Sequence, residues 1–244
     1  MPKPTFHNLP EPKRRRLIDA AIGEFAAHPY PEASLDRIAA RAKVSKGSLY
    51  QYFHDKADLY RHLVLDELGA RKQAGAPRLG GTFFERLEAL FLAGLAAFSA
   101  DPRAAALGAR IYEDGGDPAT RALKSEARER GVAYFRAELE AARGRGEVRA
   151  DLDLDISARL VATLAGAGLV DLLSARLGKS LAQLARRRAP IDDQLVRETV
   201  HAAVELLAGG LRPAQAAAVA APSEPVAPSP RRPSTRPPPR RAAR

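Results

Sequence analysis

The chain has 244 residues, no cysteine and a formal net charge of +10, which excludes disulfide frameworks and thiolate metal sites. It is long enough to bury a substantial core in one or two domains. The N-terminus lacks an apolar signal segment. The longest charge-free apolar run, residues 160–170, is shorter than the about 20 residues that cross a bilayer, so we expect a soluble, cytoplasmic protein without a membrane partner.

The positive charge is concentrated at the two ends of the chain. Residues 1–56 carry ten Lys/Arg against six Asp/Glu, residues 57–212 carry 23 against 22, and residues 213–244 carry six against one. A basic segment joined to a nearly neutral one is the charge distribution of a modular DNA-binding protein. We therefore predict a DNA-binding domain over residues 1–56, a second domain over 57–212, and a disordered, basic, Pro/Arg-rich tail over 213–244.

The first predicted helix begins in the basic run Lys13–Arg16 and ends before Pro29. Two shorter helices follow between Ser34 and Lys56, joined at Lys43–Val44. Ser34 and Ser45 can each cap a first turn through the side-chain hydroxyl. Apolar residues at helical spacing define an inward face: Ile38, Ala39, Ala42, Leu49 and Phe53. The outer face of the second short helix carries hydroxyls, an amide, phenols and a lysine, which predicts a helix-turn-helix that reads a major groove.

The order V-S-K-G-S-L-Y-Q-Y-F-x-x-K, after a helix containing L-D-R-I-A, resembles the DNA-binding domain of the tetracycline-repressor (TetR) family. The resemblance covers about residues 13–65. It is weaker in the remainder, where Gly146–Asp153 is similar to the segment that leads into the family's eighth helix. The resemblance implies an all-α protein of about nine helices. Its N-terminal domain would be a three-helix helix-turn-helix unit, and its larger C-terminal domain would dimerise and bind a ligand.

Lys46 and Gly47 lie at the N-terminus of the predicted recognition helix, where free amides and the helix dipole favour a phosphate. Tyr50 and Gln51 are the predicted base contacts, a ring against a thymine methyl and an amide against adenine. Asp36 is left out because a carboxylate would repel a phosphate. Tyr52 and Lys56 are predicted phosphate contacts, as is the Ser34 hydroxyl if capping leaves it free. The resemblance implies that these positions, with Ser45 and Ser48, contact DNA.

The next helix is predicted over residues 55–73. Thr82-x-x-Glu85 is a capping box, and Asp101-Pro102 and Asp117-Pro118 each pair a capping aspartate with a proline at the first helical position. Another helix begins at Asp153 or Asp155 and ends near residue 177. The last helix covers about residues 192–208, and Gly209-Gly210 should stop it. Because no segment alternates with a period of two, we expect no sheet.

The helix over residues 155–177 is apolar nearly all round. A helix that packs against one neighbour shows one polar face. The apolar surface of this helix therefore has to be buried on two sides, on one side by its own domain and on the other by a surface from elsewhere. The alternative is a fully buried helix of a monomer. The family resemblance favours a homodimer through this helix and the last one. The predicted interface residues are Leu160, Leu164, Gly168, Leu172, Val200 and Val204.

Apolar and aromatic residues in the middle of the chain could line a pocket for a small-molecule effector: Phe91, Leu95, Phe98, Ile111, Tyr112 and Tyr134. Ordinary core packing is the alternative for each of them. Two sets of residues at helical spacing could contribute metal ligands, namely Asp58 with His62 and Asp66, and His201 with Glu205. Each is a partial ligand set, and solvated helix pairs are the favoured interpretation.

The sequence contains no Gly-rich phosphate loop, nucleophile elbow or H-E-x-x-H motif, so we expect neither catalytic residues nor a metal or other cofactor. The favoured function is a sequence-specific transcriptional regulator, a ligand-relieved repressor that acts as a homodimer on palindromic double-stranded operator DNA. The alternative is an architectural DNA-binding protein without ligand control. The near neutrality of residues 57–212 favours the regulator.

Overall fold

The computed structural model describes residues 2–70, 80–113, 117–179 and 193–213, and every regular element in these ranges is helical. The first five helices and a short 3-10 turn, Tyr30–Glu32, are called the head. The head helices are α1 (Pro4–His7), α2 (Glu11–Ala27), α3 (Leu35–Ala42), α4 (Lys46–Tyr52) and α5 (Lys56–His62), and α5 continues into a π-helical turn, Leu63–Glu67.

The other five helices of the described residues are called the body. They are α6 (Phe83–Ala100), α7 (Pro102–Glu113), α8 (Pro118–Gly144), α9 (Leu154–Leu177) and α10 (Asp193–Leu211). The predicted all-α fold is confirmed, and the described residues contain one helix more than the nine expected. The added helix is α1, which the sequence did not indicate. The predicted tail and the end of the helix placed over 55–73 lie outside the described residues.

The predicted capping residues start their helices as expected. The Ser34 hydroxyl accepts from the Arg37 amide at 3.4 Å, and the Ser45 hydroxyl accepts from the Ser48 amide at 3.1 Å. The capping box at the start of α6 is complete on both sides. Aspartates open α7, α8 and α9 in the same way: Asp101, Asp117 and Asp153. Local side-chain chemistry therefore sets most helix starts.

The predicted stop at Gly209-Gly210 is wrong, because α10 runs through both glycines to Leu211. The Leu211 carbonyl accepts a hydrogen bond from the Arg149 amide at 2.9 Å. Leu211 is buried in the body. Tertiary packing of this last residue outweighs the low helix propensity of two glycines, about 1 kcal/mol each.

Helix α9 contains a π-helical turn, Leu164–Gly168, inside which Gly166 leaves helical geometry (φ −92°, ψ −111°). By length and composition alone this 24-residue helix is apolar enough to cross a bilayer, although its charge-free run is shorter. It packs along α8, and Leu169 and Leu173 are buried in the body. Within the part of the chain that the structure describes, only one side of α9 is covered, and Ile156 and Leu160 on its outward side stay exposed.

Two apolar clusters form the interior. The N-terminal core fills the head with Leu17, Phe25, Ile38, Leu49 and their neighbours, and it extends into the body. The body residues that take part in it lie on α7 and α8: Ala104, Leu107, Ile111 and Leu123. The C-terminal core is built from α6, α8, α9 and α10. The N-terminal core thus crosses the predicted domain boundary at residue 56.

Val200 and Val204 lie in the C-terminal core and are 0% and 1% exposed in a single chain. Their predicted place in an interface between two copies is therefore wrong. Both belong to this core, where α10 packs mainly on α6. The outward residue of α10 is Leu206, which is 82% exposed.

A buried carboxylate holds the head helices together. Glu24 of α2 is fully buried and accepts from the Ser34 amide at 3.0 Å and from Arg37 Nε at 2.7 Å. Arg41 Nη1 lies 3.7 Å from its second oxygen. Burial by itself raises the pKa of Glu24, but the bonds from Arg37 and Ser34 outweigh it, and the net pKa lies below the ordinary range. The ionised form therefore joins α2 to the start of α3.

We predict that Glu24→Gln lowers the free energy of unfolding by about 1–3 kcal/mol, since it weakens two hydrogen bonds to a charged group. Because the folded pKa lies below the ordinary value of 4.5, the carboxylate stabilises the fold above that value. The contribution disappears as the pH falls through the folded pKa. Chemical denaturation from pH 7 to pH 3 measures the difference. The control is Glu32→Gln, which removes an exposed carboxylate from the 3-10 turn after α2. An equal loss of stability in that variant would contradict this role of Glu24.

Candidate nucleic-acid interface

The outer face of α4 presents the predicted recognition residues to solvent. Lys46, Gly47, Tyr50 and Gln51 are exposed, and the Tyr50 side chain keeps 44% of its accessible surface. A Cβ added at Gly47 would meet only the Ser45 hydroxyl, at 3.9 Å. Since the fold itself leaves room for a side chain there, the absence of one keeps the backbone open to a close approach from outside.

The serines of the predicted interface serve partly as caps. Ser45 and Ser48 hydroxyl oxygens lie 2.8 Å apart, and Ser45 also caps α4. The Ser34 hydroxyl caps α3, and its amide donates to Glu24. A hydroxyl oxygen has two lone pairs and one rotatable hydrogen, so Ser45 and Ser48 each keep capacity for at least one further bond. These serines lie at the edge of the exposed face of α4.

Lys46 is paired within the head. Its Nζ lies 2.9 Å from Asp36 Oδ2, and both side chains are more than half exposed. The hydrogen bond that Lys46 donates to Asp36 raises the pKa of Lys46. This pair links the first turns of α3 and α4 on the side that faces outward. Asp36, which the sequence left outside the site, therefore takes part in the electrostatics of the surface.

Two predicted phosphate contacts are corrected by the structure. Tyr52 is 6% exposed and belongs to the N-terminal core, because the α4 turn points it inward beside Phe53. Lys56 Nζ donates to the carbonyls of Tyr30, Pro31 and Ala33 at 2.7, 3.1 and 3.2 Å. These bonds use all three N–H donors of an ammonium, so Lys56 ties the 3-10 turn to the start of α5.

The sequence missed two residues beside α4. Lys13 of α2 places its Nζ 6.0 Å from the centroid of the Tyr52 ring, so the basic run at the start of α2 borders the recognition helix. Lys3, before α1, donates to the Tyr50 carbonyl at 2.7 Å. Charge clustering could have indicated Lys13. Nothing in local periodicity could have placed Lys3, since its contact spans 47 positions of sequence.

The head joins the body through charged contacts on α5 and α2. Arg61 of α5 binds Glu126 of α8 with both ends of its guanidinium, the Nε at 2.7 Å. Arg130 lies 3.2 Å from Glu126 and from Asp66. Arg110 of α7 donates to the carbonyls of Ala26 and Ala27 at the end of α2, at 3.0 and 3.3 Å. A movement of α7 or α8 would therefore be transmitted to the head.

A half-open groove of about 410 Å³ lies beside this junction, between α5 and the start of α8. Tyr30, Tyr60, Ala122 and Leu123 give it an apolar wall, and Arg61 and Glu126 lie at its edge. The predicted effector residues do not meet here or at any single described site. Phe91 lies in the C-terminal core, Ile111 in the N-terminal core.

The other predicted effector residues are equally dispersed or undescribed. Tyr134 is 43% exposed on α8, and Leu95 packs partly against the C-terminal core. The side chains of Phe98 and Tyr112 lie outside the described residues. The structure therefore gives the predicted pocket no common cavity among the residues it describes.

The candidate metal ligands have other partners. His62 is 6% exposed, with Nδ1 2.8 Å from Asp66 and Nε2 3.4 Å from Glu67. Burial lowers the pKa of His62, but these carboxylates outweigh it and the net pKa is raised. His201 lies 3.3 Å from Glu88, and Glu205 pairs with Arg212. Within the described ranges, no group of three such residues is placed to hold a metal ion.

A second surface, the outward apolar face of α9 and α10, is separate from α4. Ile156 and Leu160 are each 59% exposed, Leu172 is 42% exposed, and Leu206 of α10 is 82% exposed. Leu164 and Gly168 lie in the π-helical turn and are half-buried. Four of the six predicted interface residues thus reach the surface of the body, and Leu206 is a further exposed apolar residue that was not among the predicted ones.

Comparison with known proteins places the head in a family. The model for bacterial regulatory proteins of the tetR family matches residues 17–63, from α2 into α5. The HTH-type transcriptional repressor SCO4008 of Streptomyces coelicolor is 41% identical over 55 residues, which is 22% of this chain and 29% of that protein. The "Probable acrEF/envCD operon repressor" of Escherichia coli is 28% identical over 149 residues, 59% of this chain and 68% of that protein. The chain thus spans less than a third of the Streptomyces relative.

Solved structures extend the likeness to the body. A TetR family transcriptional regulator from Chloroflexus aurantiacus is 30% identical, with a TM-score of 0.58 over 87% of this chain and 99% of that one. FadR from Bacillus subtilis in complex with stearoyl-CoA is 19% identical, with a TM-score of 0.60 over 80% of this chain and 98% of that one. The second likeness is one of fold.

We predict that Asp36→Asn strengthens binding to duplex DNA about two- to fivefold at low salt, because it releases Lys46 from a surface ion pair. The gain should be similar on specific and random duplexes, and the slope of log affinity against log salt should steepen by about one. Asp155→Asn is the control, since it removes an exposed carboxylate that pairs with Arg136 in the body. Unchanged or weaker binding by Asp36→Asn would contradict the assignment.

Proposed function

Because the chain belongs to the TetR family of transcriptional regulators, we propose that it is a cytoplasmic repressor that binds a palindromic operator as a homodimer. Binding of a small molecule would release the operator. The proposal divides the chain as the sequence does, into residues 1–56 for DNA, 57–212 for dimerisation and effector binding, and a basic tail over 213–244. This family consists of regulators, and the proposal includes no catalytic step.

One observation carries the proposal: the exposed half of α4 has only groups suited to duplex DNA. Lys46 and Gly47 offer charge and an open backbone to a phosphate, while Tyr50 and Gln51 stand clear of the core for base edges. The adjoining Lys13–Arg16 run adds positive charge at the start of α2. Tyr50 and Gln51 would provide sequence specificity, and contacts with the DNA phosphates would orient α4 in the groove.

The homodimer is supported by the open apolar face of α9 and α10. Ile156, Leu160, Leu172 and Leu206 would each lose exposed surface against a second copy. A contiguous apolar patch formed by these residues would mark an interaction site. One recognition helix contacts too few base pairs for useful specificity, and a two-fold dimer doubles the number that are read.

Effector control is supported by the junction between head and body. The fold neighbour FadR of Bacillus subtilis was solved with stearoyl-CoA, so this fold accommodates a ligand. In this chain, Arg61, Glu126 and Arg110 connect α5 and α2 to α7 and α8. A ligand that shifts either body helix would change the orientation of α4 in each protomer, and with it the spacing of the two recognition helices.

An architectural DNA-binding protein without ligand control is the second candidate. It would distribute positive charge over the body, whereas residues 57–212 carry 23 Lys/Arg against 22 Asp/Glu. Such a protein would also have little use for an exposed tyrosine and glutamine side by side.

Selection of bound duplexes from a random pool tests the proposed function. We expect a palindromic consensus from the unaltered protein. Tyr50→Ala and Gln51→Ala should each relax the consensus at one position per half-site, with a loss of about 1–3 kcal/mol for each base contact. Lys13→Met is the comparison and should weaken all duplexes alike. Absence of any consensus from the unaltered protein would favour the architectural candidate.

We predict that Leu160→Glu and Leu206→Glu each convert the dimer into a folded monomer, because a second copy would bury the introduced carboxylate without a partner. Each leucine is more than half exposed in one chain, so the thermal stability of the monomer itself should change little. Sedimentation velocity measures the state. Ala141→Glu, at an exposed position of α8, adds the same charge elsewhere. Stable dimers in both leucine variants would refute the interface.

A further inference from the structure

The segment Pro2–Leu9 lies outside the region matched by the family model, residues 17–63, and it binds the end of the recognition helix. Three consecutive backbone carbonyls of α4 accept hydrogen bonds from it. Lys3 Nζ donates to Tyr50 at 2.7 Å, the Thr5 hydroxyl donates to Gln51, and the Lys3 amide donates to Tyr52 at 2.8 Å.

These bonds complete the C-terminus of α4. The last four carbonyls of a helix have no partner within the helix. The Leu49 carbonyl accepts from the Phe53 amide at 2.8 Å, where the chain leaves the helix in extended geometry. The segment satisfies the other three. The Lys3 ammonium also lies at the negative end of the helix dipole, where a cation is stabilising.

An apolar anchor holds the segment in this position. Phe6 of α1 is 1% exposed, and its ring centroid lies 4.9 Å from that of Phe53 and 5.1 Å from that of His62. Phe53 directly follows α4, and His62 belongs to α5. The anchor therefore fixes Lys3 and Thr5 relative to the end of α4 and relative to α5.

We propose that Pro2–Leu9 is a positioning segment for operator recognition, which sets the orientation of Tyr50 and Gln51 without contacting bases. This inference rests on the proposed function. A helix of seven residues is far below the length that is stable alone. Its last turn carries both predicted base-reading side chains, and fraying of that turn would disorder them. The Thr5 and Lys3 bonds restrain that turn from outside the helix.

A direct contact between Lys3 and a DNA phosphate is the competing role for this segment. Substitutions of Thr5 distinguish the positioning role from a phosphate contact, because the Thr5 hydroxyl is uncharged and bonds to a backbone carbonyl of α4. Thr5→Val removes the donor and keeps the shape of the side chain, whereas Thr5→Ser retains the donor. Lys3→Met removes the ammonium but leaves the Lys3 amide in place.

The test compares these variants of the full chain in two measurements. Hydrogen exchange of the α4 amides in the free protein should be about two- to tenfold faster in Thr5→Val, the equivalent of one weak hydrogen bond. Affinity for the selected operator should fall by a similar factor, while affinity for a scrambled duplex changes by less than about twofold. Thr5→Ser should match the unaltered protein in both measurements.

Unchanged exchange and operator affinity in Thr5→Val would overturn the proposal. So would an equal loss on operator and scrambled duplex. Loss in Lys3→Met alone, with a shallower salt slope, would assign the segment to phosphate contact instead. If the unaltered protein selects no consensus at all, the proposed function fails. The exchange comparison of Thr5→Val with Thr5→Ser still decides whether the segment restrains α4.

Discussion

The shared apolar core between head and body is the constraint on which the rest of the molecule depends. Leu107 of α7 is fully buried among head residues, and Ile111 and Leu123 join it from α7 and α8. At about 25 cal/mol per Å² of buried apolar surface, such side chains contribute about 1.5–3 kcal/mol each. Separating the head from the body would expose them. The head is thus stabilised by packing against α7 and α8 of the body.

This support explains how a recognition helix of seven residues can keep a defined orientation. Glu24 fixes α3 to α2 by buried ionic hydrogen bonds, Lys56 ties the 3-10 turn to α5, and Arg110 satisfies the end of α2 from the body. The segment before α2 completes the end of α4. Most of these contacts are hydrogen bonds between a side chain and a backbone group of another element, so they restrain the geometry of the head more than they add apolar burial.

In the proposed function, the same connections would link an effector-binding body to the DNA-binding head. Arg61 with Glu126, and Arg130 with Asp66, lie where α5 meets α8, beside the apolar groove. Because α5 follows α4 after only three residues, a shift of α8 against α5 would reorient the recognition helix. In a dimer joined through α9 and α10, the two heads would then change their separation. A small displacement in the body is sufficient, since packed helices move as rigid elements.

The sequence predicted those features that depend on local chemistry. Helix starts followed from Ser34, Ser45, Thr82 and Asp117, and the polar face of α4 followed from helical spacing. The failures come from contacts distant in sequence. The sequence predicts a phosphate contact for Lys56, but its ammonium donates to three backbone carbonyls in and beside the 3-10 turn. The sequence predicts an interface position for Val200, but this residue is buried in the C-terminal core.

Other failures have the same origin. A tyrosine at the end of a helix with a polar outer face gives no sign that it is buried, so the sequence predicts an exposed position for Tyr52. The four-residue helix α1 is too short for a periodic signal and is held by Phe6 alone among its side chains in the core. Ile111 and Phe91 were grouped by residue type, whereas the chain divides them between two cores.

Equilibrium unfolding followed by two signals tests the shared core most directly. Four of the six tyrosines lie in the head, at positions 30, 50, 52 and 60. Tyrosine fluorescence therefore reports mainly on unfolding of the head, whereas far-UV circular dichroism reports on the helices of the whole chain. A shared core predicts coincident transitions, and predicts that Leu107→Ala, which should cost about 2–5 kcal/mol, moves both to lower denaturant together. Separate transitions, with the fluorescence midpoint unmoved by Leu107→Ala, would contradict it.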